Sequence, residues 1–249
     1  MKLIAVTWSY DDSFDYENTR LYKSFIKKND KKNFLNIHYN RNHYKELESQ
    51  FESRFGYQYE FLLYRIYLLK DSLKKLRHKT IIFADTSDVA CLDNIDNINL
   101  TRENKIVFGS ERHRYPNEVS ITNWQPNYMY NEIDRQRVSF LNAGLSIGNR
   151  KKFIELYEYC VENIFDKNYR NFGGDQGVFT YYYLNTENGL IELDYKNEFF
   201  INTYTLAPYH YSVTDGRLFD PNHNTKPIFL HDNGWNYGSP KFIEYFNLI

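Results

Sequence analysis

At 249 residues, with 31 basic against 32 acidic side chains and a formal net charge of -1, the chain has the size of one large α/β domain. It carries no field that would draw it to nucleic acid or an anionic membrane. Its 2 cysteines, Cys91 and Cys160, are too few for a disulfide framework and lack the spacing of a thiolate metal site, so both read as buried small hydrophobes.

The opening Met1–Trp8 holds one short apolar run, too brief for a secretory signal. No later segment approaches the ~20 apolar residues of a membrane span, so a cytoplasmic protein without a span is expected. Leu3-Ile4-Ala5-Val6 reads as the first strand of a buried parallel sheet, followed by a polar loop with Asp11 and Asp12. From Tyr57 to Leu76, apolar Phe61, Leu62, Ile66, Leu69, Leu73 and Leu76 recur at helical spacing, with basic residues gathering at the C-terminal end. Thr80-Ile81-Ile82-Phe83-Ala84 is continuously apolar, as a strand covered on both faces should be, and stops at Asp85. Lys105–Gly109 repeats that pattern, and Leu141–Gly148 supplies another strand with glycines at close-approach points. A helix marked by Phe153, Ile154, Leu156, Tyr157, Cys160, Val161 and Ile164 follows, then late strands at Leu190–Leu193 and Ile228–Leu230, the second ending in His231. The polar stretch from Arg112 to Arg137 reads as a long surface excursion. Strands alternating with helices imply one α/β domain over 1–249 with a mostly parallel central sheet and helices on both faces.

In open α/β sheets ligands gather outside the carboxyl ends of strands, which is where Asp85-Thr86-Ser87-Asp88 falls. Residues i and i+3 of a turn approach closely, so Asp85 and Asp88 can aim oxygens at one shared point. Two carboxylates alone there would repel until one took up a proton; a hard cation bridging phosphates keeps both ionised. The competing reading has Asp85 cap the strand and Asp88 the next turn. An aspartyl phosphatase is disfavoured, since its two aspartates stand one residue apart and here Thr86 and Ser87 both intervene.

Several blocks in order resemble the glycosyltransferase domain of the procollagen lysyl hydroxylase family and its bacterial and viral relatives. They are Phe83-Ala84-Asp85-Thr86-Ser87-Asp88-Val89, Val107-Phe108-Gly109-Ser110-Glu111, Phe140-Leu141-Asn142-Ala143-Gly144, Asp175-Gln176, Leu193-Asp194-Tyr195-Lys196, Phe200-Ile201-Asn202 and His231-Asp232-Asn233-Gly234. The resemblance runs from the first strand nearly to the C-terminus. It implies a GT-A fold, with a nucleotide-binding half over about 1–110 merged with an acceptor and donor-sugar half over about 111–249. It also implies a UDP-sugar donor and a divalent metal, typically Mn²⁺ with Mg²⁺ as the alternative.

Carried over by position, Asp85 and Asp88 match the metal-binding aspartates and His231 the histidine that completes the set. An imidazole among oxygens favours manganese over magnesium or calcium. Asn142, Gly144 and Asp175 match positions around the donor sugar, with Asn142 and Asp175 as catalytic candidates; the other reading of Asp175 is a helix N-cap. Asn233 and Gly234 are expected near the diphosphate, where a glycine permits backbone approach. Gly173-Gly174-Asp175-Gln176 keeps one carboxylate where the family often shows several, so donor preference can differ. Ser87 stands where the family commonly places an aromatic beside the uracil, which turns attention to Thr7 and Trp8 for the base, with core packing as the other reading of Trp8. Glu111 follows a strand end and reads equally as a substrate contact or a surface ion pair.

The expectation is therefore a retaining transferase moving glucose or galactose to a glycan or hydroxylysine-type hydroxyl. A non-catalytic nucleotide-sugar or glycan-binding module on the same fold is the alternative. A nucleotidyltransferase would need a glycine-rich, basic phosphate loop after the first strand, and Thr7–Ser13 has neither glycine nor a basic residue.

Overall fold

The computed structural model describes residues 3–9, 14–38, 45, 49, 60–114, 139–166, 174–186, 188–203, 208–232 and 242–247. A six-stranded sheet runs through its centre. In chain order the strands of this sheet are β1 (Leu3–Ser9), β2 (Phe34–His38), β3 (Thr80–Ala84), β5 (Ile106–Arg114), β6 (Ser139–Asn149) and β7 (Ile191–Asp194), and their spatial order is β2-β1-β3-β6-β5-β7. β1 pairs in parallel with β2 and β3, and β5 with β7, whereas β6 runs antiparallel between β3 and β5. The mostly parallel expectation holds, with β6 as the strand that reverses.

A second sheet is built from β4 (Val89–Cys91), β8 (Phe200–Asn202) and β11 (Phe229–His231), in the order β4-β11-β8. The hairpin β9 (Ser212–Thr214) and β10 (Arg217–Phe219) stands beside them. β3 and β4 belong to different sheets, so the Asp85–Asp88 loop is the crossing from one sheet to the other.

One face of the large sheet packs on α2 (Glu60–Lys75), α3 (Arg150–Asp166) and α4 (Gly174–Asn185). Ile66, Leu69 and Leu73 meet Phe153, Leu156 and Cys160, with Val178 and Phe179, over Ile81 and Phe83. The opposite face, through Ala5, Ile82 and Ala84, is covered by Leu21 and Phe25 of α1 (Arg20–Lys28) and by Val89, Phe200 and Phe229 of the small sheet. The far side of that small sheet packs Ala90, Ile201 and Leu230 on Phe242 of α5 (Phe242–Phe246). The alternation of β3 between the two clusters is the period of a strand enclosed on both faces. α1 starts where the Thr19 hydroxyl accepts from the Tyr22 N–H at 3.3 Å and ends on Lys27 and Lys28, in line with the helix dipole.

The expected helix over Tyr57–Leu76 is observed from Glu60, its first three residues lying outside the described residues. Asp11, Asp12 and 115–138 of the polar excursion also lie outside them. Both cysteines are buried. Among the described residues no helix is long and apolar enough to cross a membrane.

Candidate active site

The loop after β3 is fastened on three sides. The Asp85 N–H donates to the Gly144 carbonyl of β6 at 2.8 Å, and the Asp232 N–H, just past β11, donates to the Asp88 carbonyl at 2.8 Å. Between them the Thr86 hydroxyl donates to the Trp8 carbonyl at 2.7 Å and lies 2.9 Å from the Thr7 hydroxyl. With its proton committed to Trp8, Thr86 accepts from Thr7, which is fully buried at the end of β1. Because β11 pairs antiparallel with β4, His231 lies opposite Val89 and hence beside Asp88. One ligand atom from each of Asp85, Asp88 and His231 falls within 4.8 Å of the others, so the structure brings together the residues that the sequence nominated for a cation.

The orientation of His231 follows from its neighbours. Nδ1 is 3.0 Å from Asn142 Oδ1 and 2.9 Å from Asn202 Oδ1. The Asn142 amide nitrogen donates to Glu111 Oε1 at 2.8 Å, and that of Asn202 donates to the Ser110 carbonyl at 3.2 Å. Both amides therefore face the ring with acceptor oxygens, which requires the hydrogen on Nδ1 and leaves Nε2, 3.3 Å from Asp88 Oδ2, to take a proton or a cation. Burial opposes a charged imidazole here, but the hydrogen bond to Asp88 and the charges of Asp88, Asp85 and Glu111 outweigh it and raise the His231 pKa. Burial likewise pushes Asp88 up, and His231 reverses this to a net lowering. The pocket is thus rich in negative charge. Two carboxylate oxygens and an imidazole with a fixed tautomer form a donor set that suits a divalent cation with nitrogen affinity.

β6 reaches this centre through an irregularity. On β5, consecutive Phe108 and Gly109 pair with Ser146 and Asn142, so Ala143, Gly144 and Leu145 step out of that ladder. The step changes the phase of the strand: Leu141 and Ala143 pack in one core cluster, Leu145 and Ile147 in the other. Bulges of this kind re-aim side chains beside active sites. The N–H groups in the step are bonded by side chains, Ala143 to Gln176 Oε1 at 3.1 Å and Gly144 to Asn142 Oδ1 at 2.9 Å. Gly144 is pressed against the ligands: a Cβ there would lie 2.8 Å from Asp85 Oδ2, 2.9 Å from His231 Nδ1 and closer still to Cε1. Gly109 has the same relation to Asn202, whose amide nitrogen would be 2.5 Å from an added Cβ.

Arg65 of α2, which the sequence reading did not single out, is buried between two carboxylates. Nη1 donates to Asp85 Oδ1 at 2.5 Å, Nε donates to Asp175 Oδ2 at 2.7 Å, and Nη2 bonds that same Asp175 oxygen. Burial raises the Asp175 pKa against the lowering by Arg65. Trp8 is core, as its alternative reading held, and its ring lies 5.6 Å from the guanidinium carbon. Asp175 occupies the first turn of α4. Ser87 is exposed, Glu111 and Asn142 are buried beside His231, and Asn233 and Gly234 lie outside the described residues. Besides Arg65, sequence reasoning missed the roles of Gln176 and Asn202, which it held only as parts of short blocks. Arg65 did leave a signal: it stands three residues after Leu62 and four before Leu69, a charge inside an apolar helical stripe.

Comparison with curated proteins finds no match. The family model described as the PLOD GT domain matches residues 62–242, a span that holds Arg65, the Asp85–Asp88 loop, the β6 step, Asp175 and His231, and the chain belongs to this family of glycosyltransferase domains, whose reaction joins a nucleotide-sugar donor to an acceptor.

Proposed function

We propose that the chain transfers a hexose, glucose or galactose, from a UDP-sugar to an acceptor hydroxyl, at a site where Asp85, Asp88 and His231 hold Mn²⁺, with Mg²⁺ as the alternative. The observation that carries this reading is the geometry of His231: its Nδ1 hydrogen is already shared by two amide oxygens, so Nε2 alone faces Asp88, 3.3 Å from Oδ2, where a cation can take the place of the proton they share. A metal-ligating histidine commonly gives its other ring N–H to such acceptors, which fix the ring and its tautomer. When bound, the ion supplies Lewis-acid stabilisation of the diphosphate that leaves as the sugar–phosphate bond breaks.

The remaining work falls to the chain's own side chains. Asp85 and Asp88 are the partly exposed members of the set and His231 the buried one, so the ligands open toward the side from which a diphosphate can arrive. Asn142 holds the ring on one side and closes the β6 step on the other, seating Gly144 against the ligand side chains, and both residues are assigned to the donor-sugar region on the family pattern. Thr7 and Trp8 serve the donor by holding Thr86 and Arg65, while Ser87 is the loop residue left open to it. Asn233 and Gly234 are assigned to the diphosphate on the family pattern. Asp175 is the carboxylate assigned to the donor sugar, and retention of configuration with a glycan or hydroxylysine-type acceptor follows from kinship.

The test is UDP release from a panel of UDP-sugars with Mn²⁺ or EDTA, in wild type, Asp88→Ala and His231→Ala. Metal-dependent turnover of one donor, abolished in both variants, is expected. Tight UDP binding without turnover of any donor, with acceptors supplied, would replace the transferase with a binding module on the same fold.

A further inference from the structure

Arg65 has no part in the metal set, yet it is a buried charge bonded directly to one of its members. We propose that Arg65 is a positioning residue that fixes Asp85 as a one-oxygen ligand and couples the cation site to Asp175, an inference that rests on the metal-dependent reading above. With 5% of its side-chain surface exposed, the guanidinium is held in place by packing as well as by charge: its carbon lies 5.6 Å from the Trp8 ring centre and 5.0 Å from that of Phe83. Its fork is divided, with one nitrogen on Asp85 Oδ1 and two on Asp175 Oδ2.

The consequence for Asp85 is an asymmetric carboxylate. Oδ1 is committed to Arg65, and Oδ2 is the oxygen beside Gly144 and the His231 ring, so the cation is offered that one oxygen in a fixed orientation. The consequence for Asp175 is a fixed first turn of α4. The next residue, Gln176, accepts from the Ala143 N–H within the β6 step, so the turn that Arg65 grips also sets the strand carrying Asn142 and Gly144. Metal ligand, sugar-side carboxylate and strand step thus meet in one guanidinium. Lysine cannot take its place, because a single ammonium has neither the planar fork nor the reach to both carboxylates.

The experiment measures Mn²⁺ affinity from the EPR signal of free ion, in wild type, Arg65→Lys, Asp175→Asn and the double variant, with thermal melts to fix the folded fraction. Arg65→Gln is carried as well, in case the lysine variant does not fold. Arg65→Lys and Arg65→Gln are expected to weaken Mn²⁺ binding by about tenfold or more, the range of lost supporting contacts around metal ligands. Asp175→Asn removes no ligand, yet should shift Mn²⁺ affinity by about threefold or more, with the double variant departing from the product of the single effects. Lower melting temperatures with wild-type Mn²⁺ affinity in the folded fraction would reduce Arg65 to a packing role and overturn the proposal. Wild type that binds Mn²⁺ but releases UDP from no donor defeats the transferase reading and leaves the coupling measured; wild type that takes up no Mn²⁺ overturns both.

Discussion

Gly144→Ala isolates the geometry of the site from the chemistry of its ligands, because it removes no ligating atom. Gly144 does not have the positive φ that Gly189 and Gly216 show, so alanine meets no backbone penalty there and its effect is steric. The added carbon would sit 2.8 Å from Asp85 Oδ2 and 2.9 Å from His231 Nδ1, against a comfortable separation of about 3.5 Å. Asp85 must retreat by roughly 0.6 Å and the His231 ring by more, since its Cε1 lies nearer still to the added carbon, both beyond the ~0.5 Å tolerance of a preorganised site. His231 cannot do so without loosening its bonds to Asn142 and Asn202, and the strand cannot without breaking the Asp85 N–H to Gly144 carbonyl bond. Overpacking of this kind costs about 1–3 kcal/mol of stability. The disturbed ligands should lose about 10–100-fold in Mn²⁺ affinity. Calorimetric or EPR titration with Mn²⁺, beside a thermal melt, reads both. Gly189→Ala is the control: no atom lies within 4 Å of its added Cβ, but its φ of +60° makes alanine cost about 1–2 kcal/mol with Mn²⁺ affinity untouched. Wild-type Mn²⁺ affinity in Gly144→Ala would refute the cradle, whatever happened to the melt.

Three further outcomes can be checked with the same protein. Asn202→Ala leaves His231 Nδ1 with Asn142 alone, so Mn²⁺ affinity should fall by about tenfold while the fold persists; unchanged affinity would show that one amide suffices. Asp194→Ala strips the acceptor from three N–H groups, those of Glu198 and Phe199 at 2.8 Å and Phe200 at 2.9 Å. The Phe199 and Phe200 donors are buried and that of Glu198 half-buried, so at about 1–3 kcal/mol for each buried donor the loss is about 3 kcal/mol, or about 6–12 °C in Tm for a chain of this size. Asp194→Asn should recover part of it, and a melt within 2 °C or so of wild type for the alanine variant would contradict the clamp. Burial pushes the Cys91 thiol up to about 12 and Cys160 well above its ordinary value, so neither should react with a disulfide reagent at neutral pH until denaturant is added. A fast-reacting thiol in the folded protein would contradict the packing on both faces of the large sheet.

What the sequence disclosed and what it withheld divide along a physical line. β3 was legible residue for residue because a strand buried on both faces is continuously apolar and its end is marked by a carboxylate. α2 and α3 were legible from helical periodicity and the Asp85–Asp88 pair from the end of an apolar strand, whereas His231 stood out only through the resemblance, since a histidine after a short apolar run is by itself an ordinary one. β4 and β8 were not, because three-residue strands carry no periodicity of their own and exist through pairing with β11. The direction of β6 was hidden for a related reason: apolar content reports burial, while parallel or antiparallel pairing depends on a connection whose course composition does not encode. Its step at Gly144 shows in the sequence only as a glycine. Arg65 could have been found, since a lone arginine in an apolar stripe needs a partner, but which carboxylates it would meet depends on packing α2 across β3 and α4.

The seam between the two sheets explains why these distant residues converge at all. The chain leaves the six-stranded sheet at Ala84 and enters the three-stranded one at Val89, so Asp85 and Asp88 occupy the crossing itself. Each crossing residue then inherits a neighbour from the sheet it borders. Asp85 is tied to Gly144 and Arg65 on the large-sheet side, and Asp88 to Asp232 and His231 on the small-sheet side. With no cation the negative charge at this seam is offset by Arg65 on one flank and by the imidazole on the other. A cation held by all three ligands would tie the large sheet, the loop and the small sheet through a single point. Binding and sheet docking then become linked equilibria: Mn²⁺ at a hundredfold over its Kd should stabilise the chain by about 2.7 kcal/mol, and it should do so by suppressing the opening of this seam.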